Sequence, residues 1–472
     1  MIYAVISGLL LTASFYIPSF SFFSLVPLFK KDTSFKKGFI AGIFHYATLL
    51  YWLPYPLTKY AEFSFYLSLI PYLLLCLYLS LYLGMFCFLC RRTKRWDLFL
   101  IPSYWTGLEF IKGKLLTGFP WCLLGYTQYR NLYLIQIADV AGVYGISFLI
   151  VMINLAIYKV IKERSLREGV FTMTVLFFVY GYGYLRIHKP INGKNIAVSV
   201  IQGNIDQAIK WDPRYQEKIV NTYLQLTRSS YKFKPDLIIW PETAVPFYFQ
   251  EDRRLAEKII NIPKESNAIL IFGSPAYRIS ENKISYYNRA YLLSQNRILF
   301  YDKVHLVPFG EYVPLRRLFF FMKRIVNSAG DFSPGDRLEP LKIKDLSVGI
   351  MICFEEIFPE IAREHVRHGA NLLVNITNDA WFGKTAAPYQ HFIMSVFRAV
   401  ENRRYLVRCA NTGISAFIDP YGRIIKRSYL FKREILFAKI RLVKERSFYT
   451  RFGDIFVYVI SLVSLIKIRR EF

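Results

Sequence analysis

Ser347-Val348-Gly349-Ile350-Met351-Ile352-Cys353-Phe354-Glu355-Glu356 is an apolar run, rich in branched residues, that stops on a cysteine and turns polar at once. A run of this kind reads as a buried β-strand, and the residues after it have the texture of a helix. A thiol at the end of a strand, ahead of acidic residues, is where a nucleophile is displayed. A lone cysteine is ordinarily a small core residue instead. Two other stretches shift the balance. Ile238-Ile239-Trp240-Pro241-Glu242 ends an apolar strand on a carboxylate, and Ile298-Leu299-Phe300-Tyr301-Asp302-Lys303 ends another on a lysine. Three strands that each deliver one reactive group at their end point to one site.

Composition says where such a site works. The chain has 472 residues, enough for two or three domains, and 54% of them are hydrophobic, with 41 Phe and 35 Tyr. That is too apolar for a soluble enzyme of this size. A formal charge of +27 is compatible with nucleic-acid binding, but the basic residues cluster beside apolar runs. Basic clusters in that position are membrane flanks.

Residues 3–29 carry no charge and are interrupted by Pro18 and Pro27, so they read as two short membrane helices. No basic residue precedes them and further apolar runs follow, which argues against a cleaved signal peptide. Spans are expected at 38–57, 65–90, 98–111, 141–158, 169–185 and 455–466, most near the ~20 residues a bilayer needs. The stretch 119–137 reads as re-entrant or interfacial. Lysines and arginines fill the loops 30–37, 91–95 and 159–167 and the tail after 466. The positive-inside rule places those loops in the cytoplasm and the segment from about 190 to 450 outside. The expected domains are thus a membrane domain at 1–190, an external domain at 191–450, and a last span with a cytoplasmic tail at 451–472.

The external segment is more highly charged. Strands are expected at 196–202, 237–240, 268–273, 290–294, 298–303, 347–353, 371–375 and 415–418, with helices at 213–231, 251–261, 357–368 and 389–403. Such alternation implies an α/β layered domain. Of the six cysteines only Cys353 and Cys409 lie here. An oxidising compartment would permit a bridge between them, but Cys409 sits in an apolar stretch and reads as a packed thiol. No metal-ligand spacing is present.

The segment resembles the nitrilase superfamily, whose αββα sandwich carries a Glu-Lys-Cys triad. Trp240-Pro241-Glu242, Tyr301-Asp302-Lys303 with the following His305–Pro314, and Ile352-Cys353-Phe354-Glu355 are similar to its three motif regions, in the same order. Within a chain that has several N-terminal spans and one C-terminal span, these motifs resemble one family of bacterial inner membranes, the apolipoprotein N-acyltransferases. The resemblance covers nearly the whole chain and implies eight membrane helices and no cofactor. Members often carry tyrosine after the nucleophile, whereas this chain has Phe354 and lacks that hydroxyl.

Chemistry assigns the roles. A thiol with a pKa near ~8.5 is mostly protonated at neutral pH and needs a base or a cation beside it. Glu242 would take the proton, and Lys303 would stabilise the thiolate and then the oxyanion, helped by a backbone N–H near Phe354 or Glu355. Glu311 would orient Lys303, and the resemblance implies an essential role for Glu355. The reaction it implies is acyl transfer in two steps. Cys353 takes a chain from a phospholipid, and the α-amino group of an apolipoprotein's diacylglyceryl-cysteine receives it. Trp211, Trp240, Trp381 and Phe382, in loops at the strand ends, are candidates to bind the acyl chain, and the resemblance marks Trp211 as functional. The stretch 314–326, apolar between basic pairs, reads as a lid in the headgroup layer. Two rival readings are a membrane-tethered amidase or nitrilase-type hydrolase and a non-catalytic transport or assembly protein. The intact triad argues against the latter.

Overall fold

The structure, a computed structural model, describes residues 1–30, 32–60, 64–93, 97–280, 283–312 and 331–471. The proposed lid at 314–326 lies outside the described residues. The chain divides into two units, Met1–Lys189 with Ser447–Phe472, and Pro190–Arg446.

The first unit is helical. Among the described residues three helices are long and apolar enough to cross a membrane: Phe65–Arg92, Leu134–Lys162 and Leu166–Ile187. Tyr66, Leu74, Phe171, Phe177 and Phe178 stand exposed on two of them, as lipid-facing residues would. The expected pair of short helices over 3–29 is present as the α-helix Ile2–Ala13 and a short apolar helical segment Pro18–Leu28, the latter built of the 3-10 turns Pro18–Phe22 and Val26–Leu28. Each proline sits at the start of its turn, where a fixed φ and a missing N–H are tolerated but no long helix can run through. Asn154 satisfies the irregular backbone there. Its amide donates to the Ser21 carbonyl at 2.7 Å and its oxygen accepts the Leu25 N–H at 2.8 Å. The stretch 119–137 is likewise irregular, with a buried 3-10 turn Leu124–Gln128 and a half-buried short helix Leu132–Ile135. Glu109 accepts the Leu124 N–H at 2.7 Å, and Ser147 accepts that of Gly125 at 2.9 Å. Such pairing lets non-helical backbone exist inside an apolar bundle. Helices Phe35–Leu49 and Phe65–Arg92 approach closely enough that a Cβ at Gly42 would lie 2.7 Å from Ser80 Cα. Small residues at a helix crossing supply this van der Waals packing.

The second unit is a four-layer αββα sandwich. Its strands in chain order are β1 (Lys194–Gln202), β2 (Leu237–Ile239), β3 (Ile269–Ser280), β4 (Lys283–Leu293), β5 (Ile298–Asp302), β6 (Leu341–Ile343), β7 (Leu346–Ile352), β8 (Leu372–Thr377), β9 (Leu406–Ala410), β10 (Ala416–Ile418), β11 (Ile424–Arg427) and β12 (Glu434–Leu442). Among the described residues they form two six-stranded sheets, β12-β1-β2-β3-β4-β5 and β11-β10-β9-β8-β7-β6. β1, β2 and β3 run parallel, as do β7, β8 and β9. The core lies between the sheets, where Val198, Val200, Ile239 and Ile271 meet Val348, Ile350, Ile352, Val374 and Val407. Alternate residues of the first sheet, Ile238, Trp240, Leu270 and Phe272, face outward with Val220, Tyr223 and Ile259 of the helices Gln216–Ser230 and Arg253–Ser266. Helices Pro359–Arg367 and Ala387–Asn402 pack on β7 and β9. Strands buried on both faces read as unbroken apolar runs, which is why β7 and β8 are evident in the sequence.

Candidate active site

The three expected groups all emerge just past strand ends. Only Pro241 separates Glu242 from Trp240, and there the chain leaves β2 and crosses over β3. A Cβ on Gly273 of β3 would lie 2.8 Å from Glu242 Cα, so only glycine permits the crossing. Thr243 takes a left-handed φ of 46° in the same turn. Lys303 directly follows β5, whose end is fixed by a buried, bidentate ion pair between Asp302 and Arg289 of β4, at 2.6 and 2.9 Å. Cys353 follows β7 and opens a 3-10 turn, Cys353–Ile357, with φ at 51°. A non-glycine residue in this region costs of order 1 kcal/mol or more and persists only where its surroundings hold it. The Asn375 amide of β8 does so, donating to the Met351 and Cys353 carbonyls at 3.2 and 3.3 Å.

The polar groups form one buried network. Lys303 Nζ donates to Glu311, 2.9 and 2.8 Å from its two carboxylate oxygens, and lies 4.0 Å from Glu242 Oε1. Asn288 of β4, which the sequence does not single out, bridges both acids. Its amide donates to Glu242 Oε1 at 2.8 Å and to Glu311 Oε1 at 2.9 Å. Glu311 Oε2 accepts the Val307 N–H at 2.8 Å, closing its own loop. Glu242 Oε2 is buried and has no hydrogen-bond partner among the described residues.

Electrostatics set the resting state. Burial pushes the Cys353 thiol well above its ordinary range, Glu242 reinforces that, and Lys303 opposes both without overcoming them. The thiol is therefore protonated at rest. For Lys303, burial works against the charge, but Glu311, Glu242 and Cys353 together raise its proton affinity, so it stays an ammonium. Fully buried Glu355 is pushed up to about 7, chiefly by desolvation. Its Oε1 accepts from the Tyr301 hydroxyl at 2.8 Å and the N–H groups of Val304 and His305 at 2.7 and 3.1 Å, while Oε2 accepts from Ile352 N–H at 2.7 Å. One carboxyl thus ties the chain around Lys303 to the strand that presents Cys353.

Behind the thiol, Arg408 of β9 pairs with Glu356 and, at 3.0 Å, with Asp379, which also contacts His391 at 3.0 Å. Arg408 and His391 draw Asp379 down to about 2 despite its burial. None of these four is expected at the site from sequence. A charged residue inside the apolar run Leu406–Ala410 is the available signal.

The aromatic candidates separate. Trp240 does not face the thiol. It lies in the outer layer, stacked on Tyr223 at 5.1 Å, with its indole N–H donating to Thr227 at 2.9 Å, and it is core. The parity of β2 explains this, since Ile239 and Trp240 point to opposite faces. Trp211 is 43% exposed at the end of the helix Gln207–Lys210. Trp381 and Phe382 are half-buried on the turn Asp379–Phe382. Phe354 sits against Phe358, with ring centroids 5.3 Å apart. Cys353 and Cys409 are unbridged, and the Cys409 thiol packs against the Ile239 carbonyl at 3.3 Å.

Comparison with known proteins adds to this geometry. The carbon-nitrogen hydrolase model matches residues 197–449, and the apolipoprotein N-acyltransferase N-terminal domain model matches residues 7–156. The apolipoprotein N-acyltransferase of Geobacter metallireducens is 43% identical over 99% of this chain and 95% of its own length. That of Rickettsia prowazekii is 33% identical over 99% of this chain and 96% of its own. A carbon-nitrogen hydrolase structure from Helicobacter pylori covers 53% of this chain and 90% of its own at 18% identity, with a TM-score of 0.41. By its two domains and its full-length relatives, this chain belongs to the apolipoprotein N-acyltransferase family.

Proposed function

We propose that Cys353 accepts an acyl chain from a phospholipid as a thioester and passes it to the α-amino group of an apolipoprotein's N-terminal diacylglyceryl-cysteine. The observation that carries this reading is the asymmetry of Glu242. Asn288 and Lys303 engage its Oε1, while the buried Oε2 is open as an acceptor and the carboxylate is coupled to a protonated thiol.

In the first step Glu242 removes the thiol proton as sulfur attacks the ester carbonyl. The ammonium of Lys303, with a backbone N–H near Phe354 or Glu355, stabilises the oxyanion. The ester C–O bond then breaks, Glu242 returns the proton to the departing oxygen, and a lysophospholipid leaves. In the second step the amine attacks the thioester carbonyl, the C–S bond breaks, and Glu242 carries the amine proton back to sulfur. Glu311 keeps Lys303 aimed, and Glu355 holds the two strand ends in register. Trp211, Trp381 and Phe382 remain candidates for the acyl path. The family's substrates are bilayer components, which fits an inner-membrane protein with its catalytic unit on the periplasmic side.

The test is mass spectrometry of a reporter lipoprotein's N-terminus from cells with and without this protein. N-acylated cysteine should appear only with it. A free α-amine in both would refute the reading.

A further inference from the structure

Lys210 is a buried charged group beside Glu242 that the scheme above does not use. Its side chain is 1% exposed, yet no carboxylate lies within ion-pair distance of it among the described residues. Its one hydrogen bond there is from Nζ to the main-chain carbonyl of Glu242, at 3.1 Å. The segment before it is fastened from the other sheet. Asn411 accepts the Ile205 N–H at 2.9 Å and donates to the Ile205 carbonyl at 2.8 Å, and Asn378 donates to Gln207 at 2.8 Å. Burying an ammonium without a salt bridge costs several kcal/mol. Leucine or methionine would fill the same space at no such cost, so packing alone does not account for a lysine here.

We infer that Lys210 is a second buried cation of the active site, a positioning residue that holds the main chain at Glu242 and offsets the negative charge created when Cys353 ionises. The inference rests on the proposed role of Cys353 as nucleophile. Charge balance supports it. Glu242 and Glu311 carry two negative charges, and Lys303 with Lys210 carries two positive ones. When Glu242 takes the thiol's proton the site stays neutral as Cys353 ionises; without Lys210 it would be one charge negative. The groups acting on the ionisation of Lys210 are Glu242, from the turn after β2, and Cys353, from the turn after β7. Burial outweighs both and brings its proton affinity down to about 8. Its help to the thiolate is thus complete below that pH and fades above it.

The test is the rate at which neutral iodoacetamide alkylates Cys353 in the full-length protein in detergent, from pH 6.5 to 9.5, read by intact mass. Cys353→Ala supplies the background of the other cysteines. In the wild type, log rate should climb in proportion to pH, flatten between about pH 8 and 9 as Lys210 loses its proton, and then climb again. Lys210→Arg should keep the charge and remove the plateau. Lys210→Met should label about tenfold more slowly at pH 7.5, the equivalent of about one unit in the thiol, also without a plateau. An unbroken wild-type profile overturns the role of Lys210 whether or not the variants fold, as does a Lys210→Met profile that superimposes on it. In either case, acyl transfer abolished by Cys353→Ala would leave the nucleophile standing. Transfer surviving in Cys353→Ala would remove the nucleophile, and the role of Lys210 with it.

Discussion

Lys303 is held by two carboxylates, Glu311 in contact and Glu242 at 4.0 Å, and that arrangement fixes what its replacement should do. In the proposed scheme Lys303→Met removes the cation that faces the developing oxyanion, so the acylation rate should fall by roughly 3–4 kcal/mol, a factor of about 10² to 10³. It also leaves Glu242 and Glu311, bridged by Asn288, without their ion-pair partner among the described residues. Lys303→Arg should restore little, because the planar guanidinium is larger and does not give up a proton. Single-turnover acylation with a fluorescent phospholipid measures both, and a fully active arginine variant would reduce Lys303 to a generic charge. Glu355 supports a prediction about stability. Its folded proton affinity, near 7, lies above the ordinary carboxyl value of 4.5. Its neutral form therefore contributes stability that is complete below about pH 4.5 and lost as pH rises through 7. Glu355→Gln has no such dependence, so the unfolding free energy of wild type relative to it should fall between pH 5 and pH 8, by an amount on the order of 3 kcal/mol, as read from melting curves. A constant difference across that range would show that its four hydrogen bonds dominate over burial. Glu242, Lys303 and Cys353 are legible in the sequence because each closes an apolar run. Asn288 and Lys210 are not, because nothing local marks a polar residue as buried beside a site assembled from distant strands.

Among the elements, β7 with its turn and the β2–β3 crossing set the positions of Cys353 and Glu242. Gly273→Ala places a methyl 2.8 Å from Glu242 Cα and 2.5 Å from the Thr243 nitrogen. Backbone must shift, at a cost of about 1–3 kcal/mol, and Glu242 moves with it. Turnover should fall at least tenfold while the variant keeps most of its thermal stability. Unchanged turnover would mean that the turn absorbs the methyl without displacing the carboxylate. The same elements show why some strands are apparent in sequence and others are not. β7 and β8 are buried on both faces and announce themselves as apolar runs. β12 alternates, with Leu436, Ala438, Ile440 and Leu442 buried and Lys439 and Arg441 exposed, and its period of two is a fainter signal than an unbroken apolar run. In β3 and β4 the apolar runs stop well before the pairing does. The hairpin continues to Ser280 and Lys283 through exposed residues, the paired Ile279 and Ile284 among them, that face no core.

At the scale of the whole molecule, an apolar helical unit and a sandwich unit share one chain, and each is recognisable from composition alone. The span boundaries are less so. Prolines near the N-terminus divide a charge-free run into the α-helix Ile2–Ala13 and the segment Pro18–Leu28, and hydropathy alone does not tell that the second is built of 3-10 turns. Two successive transfers through one cysteine predict ping-pong kinetics, with parallel double-reciprocal lines as phospholipid and acceptor peptide are varied. Converging lines would require both substrates to be bound together and would exclude a free acyl-enzyme. The central claim is the thioester itself, and intact-mass analysis tests it most directly. Full-length protein is incubated with phospholipid and no acceptor, then treated with neutral hydroxylamine or with a diacylglyceryl-cysteine peptide. The account predicts a gain of one acyl chain, mapped to Cys353, removed by either treatment and absent in Cys353→Ala. Acyl transfer to the peptide by Cys353→Ala, or transfer by the wild type with no adduct on Cys353 at any time, would contradict it.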